Sequence, residues 1–376
     1  MGQHTVKVLI LTFLFSSIFG CASAQKNPGV SLDKKIGQML MIGFRGTSIN
    51  QQSPIVKDIV DNHIGGVILF DYDVPADTSI RNIVSPKQVK KLTSTLQGYA
   101  DIPLFISIDQ EGGKVKRLKP KHGFDKTVSA QYLGSLNNRD STQYYAHKMA
   151  QTLKNLGINT NLAPVVDVNI NPENPVIGKL ERSFSDNPQI VAKQAKIFIK
   201  ELNKRGILTS LKHFPGHGSS KGDSHLGVVD VSTSWQPKEL IPYREIIEED
   251  LADMIMTAHI FNTKLDSTYP ATLSEPTING LLRDSIGFEG VVVSDDLQMG
   301  AIRKEYGLRE TIKLSIQAGV DMLVFANNSV FDENIASKAH RIITELIDEG
   351  IISEQRIDQS YQRIMGLKRK YLIQEN

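Results

Sequence analysis

Eight short aliphatic runs, separated by longer segments of helical periodicity, constrain the fold of this chain more than any other feature. The runs are Gln38–Phe44, Gly65–Phe70, Leu104–Asp109, Asn159–Asp167, Ile207–His213, Met254–His259, Val291–Asp295 and Met322–Phe325. Their length and their Val and Ile content mark them as buried strands. Between them lie helix-like segments at Pro86–Tyr99, Thr142–Leu156, Pro188–Arg205, Lys238–Leu251, Pro276–Ile286 and Leu308–Ala318. Several start at proline, which suits a first helical position, and several stop at Gly157, Gly206, Gly287 or Gly319. The tail from Asn334 to Leu372 reads as helix that closes the last unit and covers one end.

Strands that alternate with helices form a parallel sheet, because each crossover returns the chain in the same direction. An open doubly wound sheet would call for a G-x-G-x-x-G turn after an early strand, and none is present. Eight units close instead into a barrel. The expected fold is α/β, a single-domain TIM-type (β/α)8 barrel over residues 30–376.

Residues 1–24 read as a targeting segment outside that fold. Lys7 supplies a positive start, Val8–Phe19 an apolar stretch too short to span as a mature helix, and Ala22-Ser23-Ala24 a cleavage site before Gln25. A second reading takes Ile18-Phe19-Gly20-Cys21 as a lipoprotein box, with a lipid anchor on Cys21 and the signal ending before it. Either way the chain is expected to be exported: periplasmic or secreted, or else a membrane-anchored lipoprotein. Cys21 is the only cysteine, which removes any internal disulfide or thiolate centre from the mature domain. A net charge of +2 with no long basic run gives nucleic acid no electrostatic footprint. No further stretch would span a membrane, and the chain is expected to be a monomer.

A parallel barrel carries its chemistry at the C-terminal ends of its strands. Here Asp109, Asp167, Lys212 with His213, His259, and Asp295 with Asp296 end five of the runs. Any one such residue is explained by a strand leaving the core for solvent. Five that share one rim point to a site.

The stretch Lys212-His213-Phe214-Pro215-Gly216-His217-Gly218, followed by Asp223-Ser224-His225, is an irregular loop above that rim. Three histidines and an aspartate in so short a span invite a metal. The spacing is not that of a helical H-x-x-x-H pair, however, and no fourth ligand is near, so neither metal nor cofactor is expected. Asp223 and His225, two apart in an extended loop, would point the same way, letting the carboxylate fix the imidazole tautomer. Such a pair can give and take a proton; a loop pair without catalytic role is the plain alternative. Val291–Asp296 delivers two carboxylates, one turned toward the barrel axis as a nucleophile would be. Asp296 could instead cap the following helix.

With these residues in place, the chain resembles glycoside hydrolase family 3, in its bacterial β-N-acetylglucosaminidase branch, from about Leu32 to the end of the barrel. The resemblance is carried by Ser107-Ile108-Asp109-Gln110-Glu111-Gly112-Gly113 with Arg117, Asn161–Asp167, Arg182-Ser183-Phe184, Lys212–Gly218 with Asp223-Ser224-His225, and Ser294-Asp295-Asp296-Leu297. It implies Asp295 as nucleophile, His225 as acid/base and Asp223 as its partner. It further implies Asp109, Arg117, Arg182, Lys212 and His213 as ligands of a carbohydrate substrate. Relatives acting on β-glucosides carry Trp after the nucleophile and a second sandwich domain; here Asp296 follows, and no further domain is expected. Gly178-Lys179-Leu180-Glu181 is slightly longer than the matching segment of many relatives. The implied activity is retaining exo-hydrolysis of terminal β-linked N-acetylglucosamine from peptidoglycan fragments or chitin-type oligosaccharides. A phosphorylase transferring the sugar to phosphate and a non-catalytic sugar-binding barrel are the alternatives.

Overall fold

The computed structural model describes residues 29–78 and 80–373, together with Gly2. The targeting segment, with Cys21 and the cleavage site, otherwise lies outside the described residues.

All eight runs form parallel strands: Leu40–Gly43, Gly66–Leu69, Phe105–Ile108, Thr160–Asn161, Leu208–Phe214, Met254–Thr257, Val291–Val293 and Leu323–Phe325. Each strand lies beside its neighbour in the chain, and the eighth returns to the first with Leu323 opposite Leu40. The seventh and eighth meet at one bridge, Val293 to Met322, so the barrel is nearly closed. The strands are buried on both faces, as a barrel wrapped in helices requires.

The fourth strand is shorter than its run. Pro164 has no N–H for the ladder, so the chain continues past Asn161 in separate contacts. Leu162 N–H donates to Ile108 O and Val166 N–H to Lys212 O, at 2.9 and 2.8 Å. That course still brings Asp167 to the rim.

The helices follow their expected punctuation. Pro86 and Pro188 open helices Pro86–Gly98 and Pro188–Asn203, and the side chains of Ser85 and Asn187 accept the first free N–H groups. Gly157, Gly206, Gly287 and Gly319 all have positive φ. Segment Thr142–Leu156 begins earlier, at Arg139, on the Asn138 cap. Lys238–Leu251 divides into a turn at Pro237–Leu240 and a helix at Ile241–Glu248. The tail forms two helices, Ile335–Asp348 and Glu354–Tyr371, with Gly350 at positive φ between them.

The last helix covers the N-terminal face of the barrel. Lys368 Nζ donates to Gln38 Oε1 and Gly65 O at 2.6 and 2.9 Å, just ahead of the first two strands. Tyr371 Oη donates to Asp253 Oδ2 at 2.7 Å, ahead of the sixth. The C-terminal face is left to the loops. Among the described residues no helix is long and apolar enough to cross a membrane.

Candidate active site

One cavity opens on the C-terminal face, with about 1090 Å³ of empty space including its mouth. Asp109, Arg117, Arg182, Lys212, His213, Asp223, His225 and Asp295 all line it. Every residue singled out from the sequence for catalysis or binding therefore reaches the same space. Glu111, Met256, Met299 and Val324 are among the other residues on its walls.

One side is a relay of paired charges. Arg117 Nη2 and Lys212 Nζ donate to the two oxygens of Asp109 at 3.1 and 2.8 Å. Lys212 also meets Glu111 at 2.8 Å, and Arg182 grips Glu111 through two bonds of 2.7 Å. Burial opposes the charge on both carboxyls, but the cations outweigh it: Asp109 is held well below the usual range and Glu111 at about 2. Depressed carboxyl values stabilise the fold at neutral pH, and that contribution is lost as pH falls toward 2. Removing one member of a buried pair strands its partner's charge. Lys212→Met should therefore lower the urea-unfolding stability at pH 7 by about 3–5 kcal/mol; a change below 1 kcal/mol would contradict this electrostatic reading.

The relay fixes the tautomer of His213. Arg182 Nη2 lies 3.2 Å from His213 Nε2, and a guanidinium can only donate, so Nε2 accepts. Nδ1–H then donates to Asp167 Oδ2 at 2.7 Å, while the backbone N–H groups of His213 and His217 share Asp167 Oδ1.

His217 has a different task. Its ring is buried between Ser220 Oγ at 2.9 Å and Ser224 Oγ at 3.4 Å, and burial pushes its pKa down to about 4. It is a neutral strut within the loop. Among the described residues no three His, Cys, Asp or Glu side chains converge as metal ligands do. Turnover is expected to survive exhaustive chelation. Stoichiometric zinc, with activity lost to chelator and restored by metal, would contradict that.

Asp223 Oδ1 accepts from both His225 Nδ1 and His225 N–H, at 2.7 and 2.9 Å. The pairing arises in a turn rather than an extended segment, since Leu226 N–H donates back to Asp223 O at 3.1 Å. With Nδ1 occupied, Nε2 remains for proton exchange. The His225 side chain is 58% exposed, at the solvent side of the cavity.

Asp295 and Asp296 are adjacent but differ in environment. Burial would raise Asp295, yet His259, His213 and His225 hold it below the usual carboxylate range, and Asp296 N–H donates to it at 2.8 Å. Burial pushes Asp296 up to about 6, against N–H donors from Ala326 and Gln298. Of the two, Asp295 is thus the ionised one, and Asp296 ties the seventh strand to the eighth. The next helix starts at Gly300 with Met299 as its cap residue, so Asp296 does not cap it. His259 Nε2–H supports the pair by donating to Asp296 O at 2.9 Å.

Two members of the site, Glu111 and Asp167, gain their partners only from the fold. Glu111 lies inside a quoted motif, two residues beyond Asp109, but its partners Arg182 and Lys212 are distant in the chain. Asp167 was visible as a strand end, yet its grip on His213 and His217 depends on the irregular course after Pro164.

Among relatives, Beta-hexosaminidase A of Pseudoalteromonas piscicida is 32% identical over 93% of this chain and 62% of its own. Beta-hexosaminidase of Xylella fastidiosa is 33% identical over 81% and 88%. The solved family 3 β-N-acetylglucosaminidase of Paenibacillus sp. superposes with a TM-score of 0.83 at 36% identity, over 91% of this chain and 63% of that one. The chain therefore spans under two thirds of two of these proteins and most of the third. The profile of the glycosyl hydrolase family 3 N terminal domain matches residues 31–367, and the chain belongs to glycosyl hydrolase family 3.

Proposed function

We propose that this chain is an exported β-N-acetylhexosaminidase that releases terminal β-linked N-acetylglucosamine with retention of configuration. One observation carries the reading: an ionised Asp295 and a carboxylate-held His225 line the same cavity, beside a fixed relay of polar charges. Asp295 attacks the anomeric carbon while His225 protonates the departing oxygen. The C–O bond to the leaving group breaks as the bond to Asp295 forms. His225, now neutral, takes a proton from water, which displaces Asp295. An imidazole can both give and take a proton, so a carboxylate-held histidine can stand where most glycosidases place a carboxylic acid. Asp109, Arg117, Arg182 and Lys212 offer the charged donors and acceptors that bind adjacent hydroxyls, with the neutral His213 ring beside them.

The named activities of the relatives support N-acetylglucosamine as the sugar, and we assign peptidoglycan fragments or chitin oligosaccharides as the source. Product analysis on a panel of β-N-acetylglucosaminides and muropeptide fragments tests both. Free N-acetylglucosamine formed without phosphate is the expected result. A sugar 1-phosphate formed only with phosphate would replace hydrolase by phosphorylase. Export is read from the mature N-terminus, expected at Gln25; a lipidated Cys21 would indicate the anchored form.

A further inference from the structure

The segment Trp235–Tyr243 packs under the loop that leads from the fifth strand to His225. Trp235 Nε1–H donates to Pro215 O at 3.0 Å, and the Tyr243 ring meets Phe214 edge-on at 5.2 Å. Between them stands Glu239, fully buried. A Cβ on Gly216 would fall 2.7 Å from Glu239 Cβ and 2.9 Å from Glu239 Oε2, so the bare loop backbone rests on this side chain. Oε1 accepts from Gln236 N–H at 3.1 Å. Oε2 makes no close hydrogen bond among the described residues, nor do the buried hydroxyls of Ser219 and Tyr243, although Ser219 lies near enough to ease a charge on Glu239. The proposed mechanism uses none of these groups.

We propose that Glu239 is a positioning residue whose buried carboxyl supports the loop at Gly216 and thereby sets where His225 stands. The role given to His225 rests on the functional reading above. From Gly216 the loop runs to His217, bonded to Asp167 through its N–H and near Ser224 through its ring. Ser224 directly precedes His225, so displacement at Gly216 is carried along a hydrogen-bonded path.

The charge state of Glu239 matters because of what faces it. Asp167 approaches from the end of the fourth strand and Tyr243 from the following helix, with His213 and His217 held on Asp167 beyond. A neutral carboxyl suits hydroxyl neighbours, whereas an ionised one adds a second buried negative charge near Asp167. Burial, reinforced by Asp167, pushes Glu239 up to about 7. That lies above the value of about 4.3 expected in an unfolded chain. The support is therefore complete below the unfolded value and is lost as pH rises through about 7.

Hydrogen exchange over residues 216–227 of the full chain tests this at pH 6 and pH 8, with intrinsic rates corrected, in wild type, Glu239→Gln and Glu239→Ala. Wild type should lose about tenfold protection at pH 8, Glu239→Gln should stay protected at both, and Glu239→Ala at neither. Glu239→Ala should also lose about tenfold in kcat/KM, which reports the glycosylation step, on a β-linked disaccharide, with kcat/KM on a nitrophenyl glycoside within about threefold of wild type. Equal loop protection in wild type and Glu239→Gln at pH 8 would overturn the proposal, and so would a loss shared by both substrates. That first comparison decides even where Glu239→Ala does not fold. If wild type turns over neither substrate, the functional reading fails, while exchange still decides whether Glu239 holds the loop.

Discussion

Asp295→Ala should lower turnover by about 10⁴-fold or more on every β-N-acetylglucosaminide, since removing a covalent nucleophile costs at least that in comparable enzymes. The substrate should still bind. The Asp109–Lys212–Glu111–Arg182 relay shares no hydrogen bond with Asp295, so KM should move far less than kcat. Asp295→Asn should be equally inactive, because its amide keeps the shape and the Asp296 N–H contact but has no carboxylate to attack. Retention of more than a tenth of wild-type turnover by either variant would remove Asp295 from the nucleophile role.

His225→Ala should show a loss that depends on the leaving group. A nitrophenolate departs without much help, whereas a sugar alkoxide is far more basic and needs the proton. Turnover of a β-linked disaccharide should fall by about 10²–10⁴-fold, the usual worth of general acid/base help. Aryl glycosides should lose much less in the glycosylation step, with deglycosylation slowed for both. Asp223→Ala should repeat the pattern more mildly, because it removes the oxygen that holds both His225 Nδ1 and His225 N–H. Equal slowing of both substrate classes through KM alone would make His225 a sugar ligand and nothing more.

The barrel was legible because its strands are buried on both faces and therefore read as continuous aliphatic runs, with Pro and Gly marking where helices begin and end. The strand-end rule alone places Asp109, Lys212, His213 and Asp295 on one rim. Three things stayed hidden. Helices Leu32–Gln38, Pro54–Asp61 and Ala130–Leu136 span about two turns each, too short to stand out from the segments around them. Extended spacing predicts the Asp223–His225 pair, whereas a turn makes the contact. Glu111, Asp167 and Glu239 have meaning only through partners far along the chain, and no local pattern records that. Glu239 in particular looks like an ordinary first-turn acid in the sequence, while the fold buries it beneath Gly216.

Retention of configuration requires that the sugar be carried on Asp295 between the two steps. Incubation with a fluorinated N-acetylglucosamine glycoside, which slows release of the intermediate, followed by peptide mass spectrometry, tests it directly. The expected result is one sugar per chain, on the peptide containing Val291–Asp296 and localised to Asp295 by fragmentation. A label on any other residue, or hydrolysis with inversion at the anomeric carbon, would contradict the account.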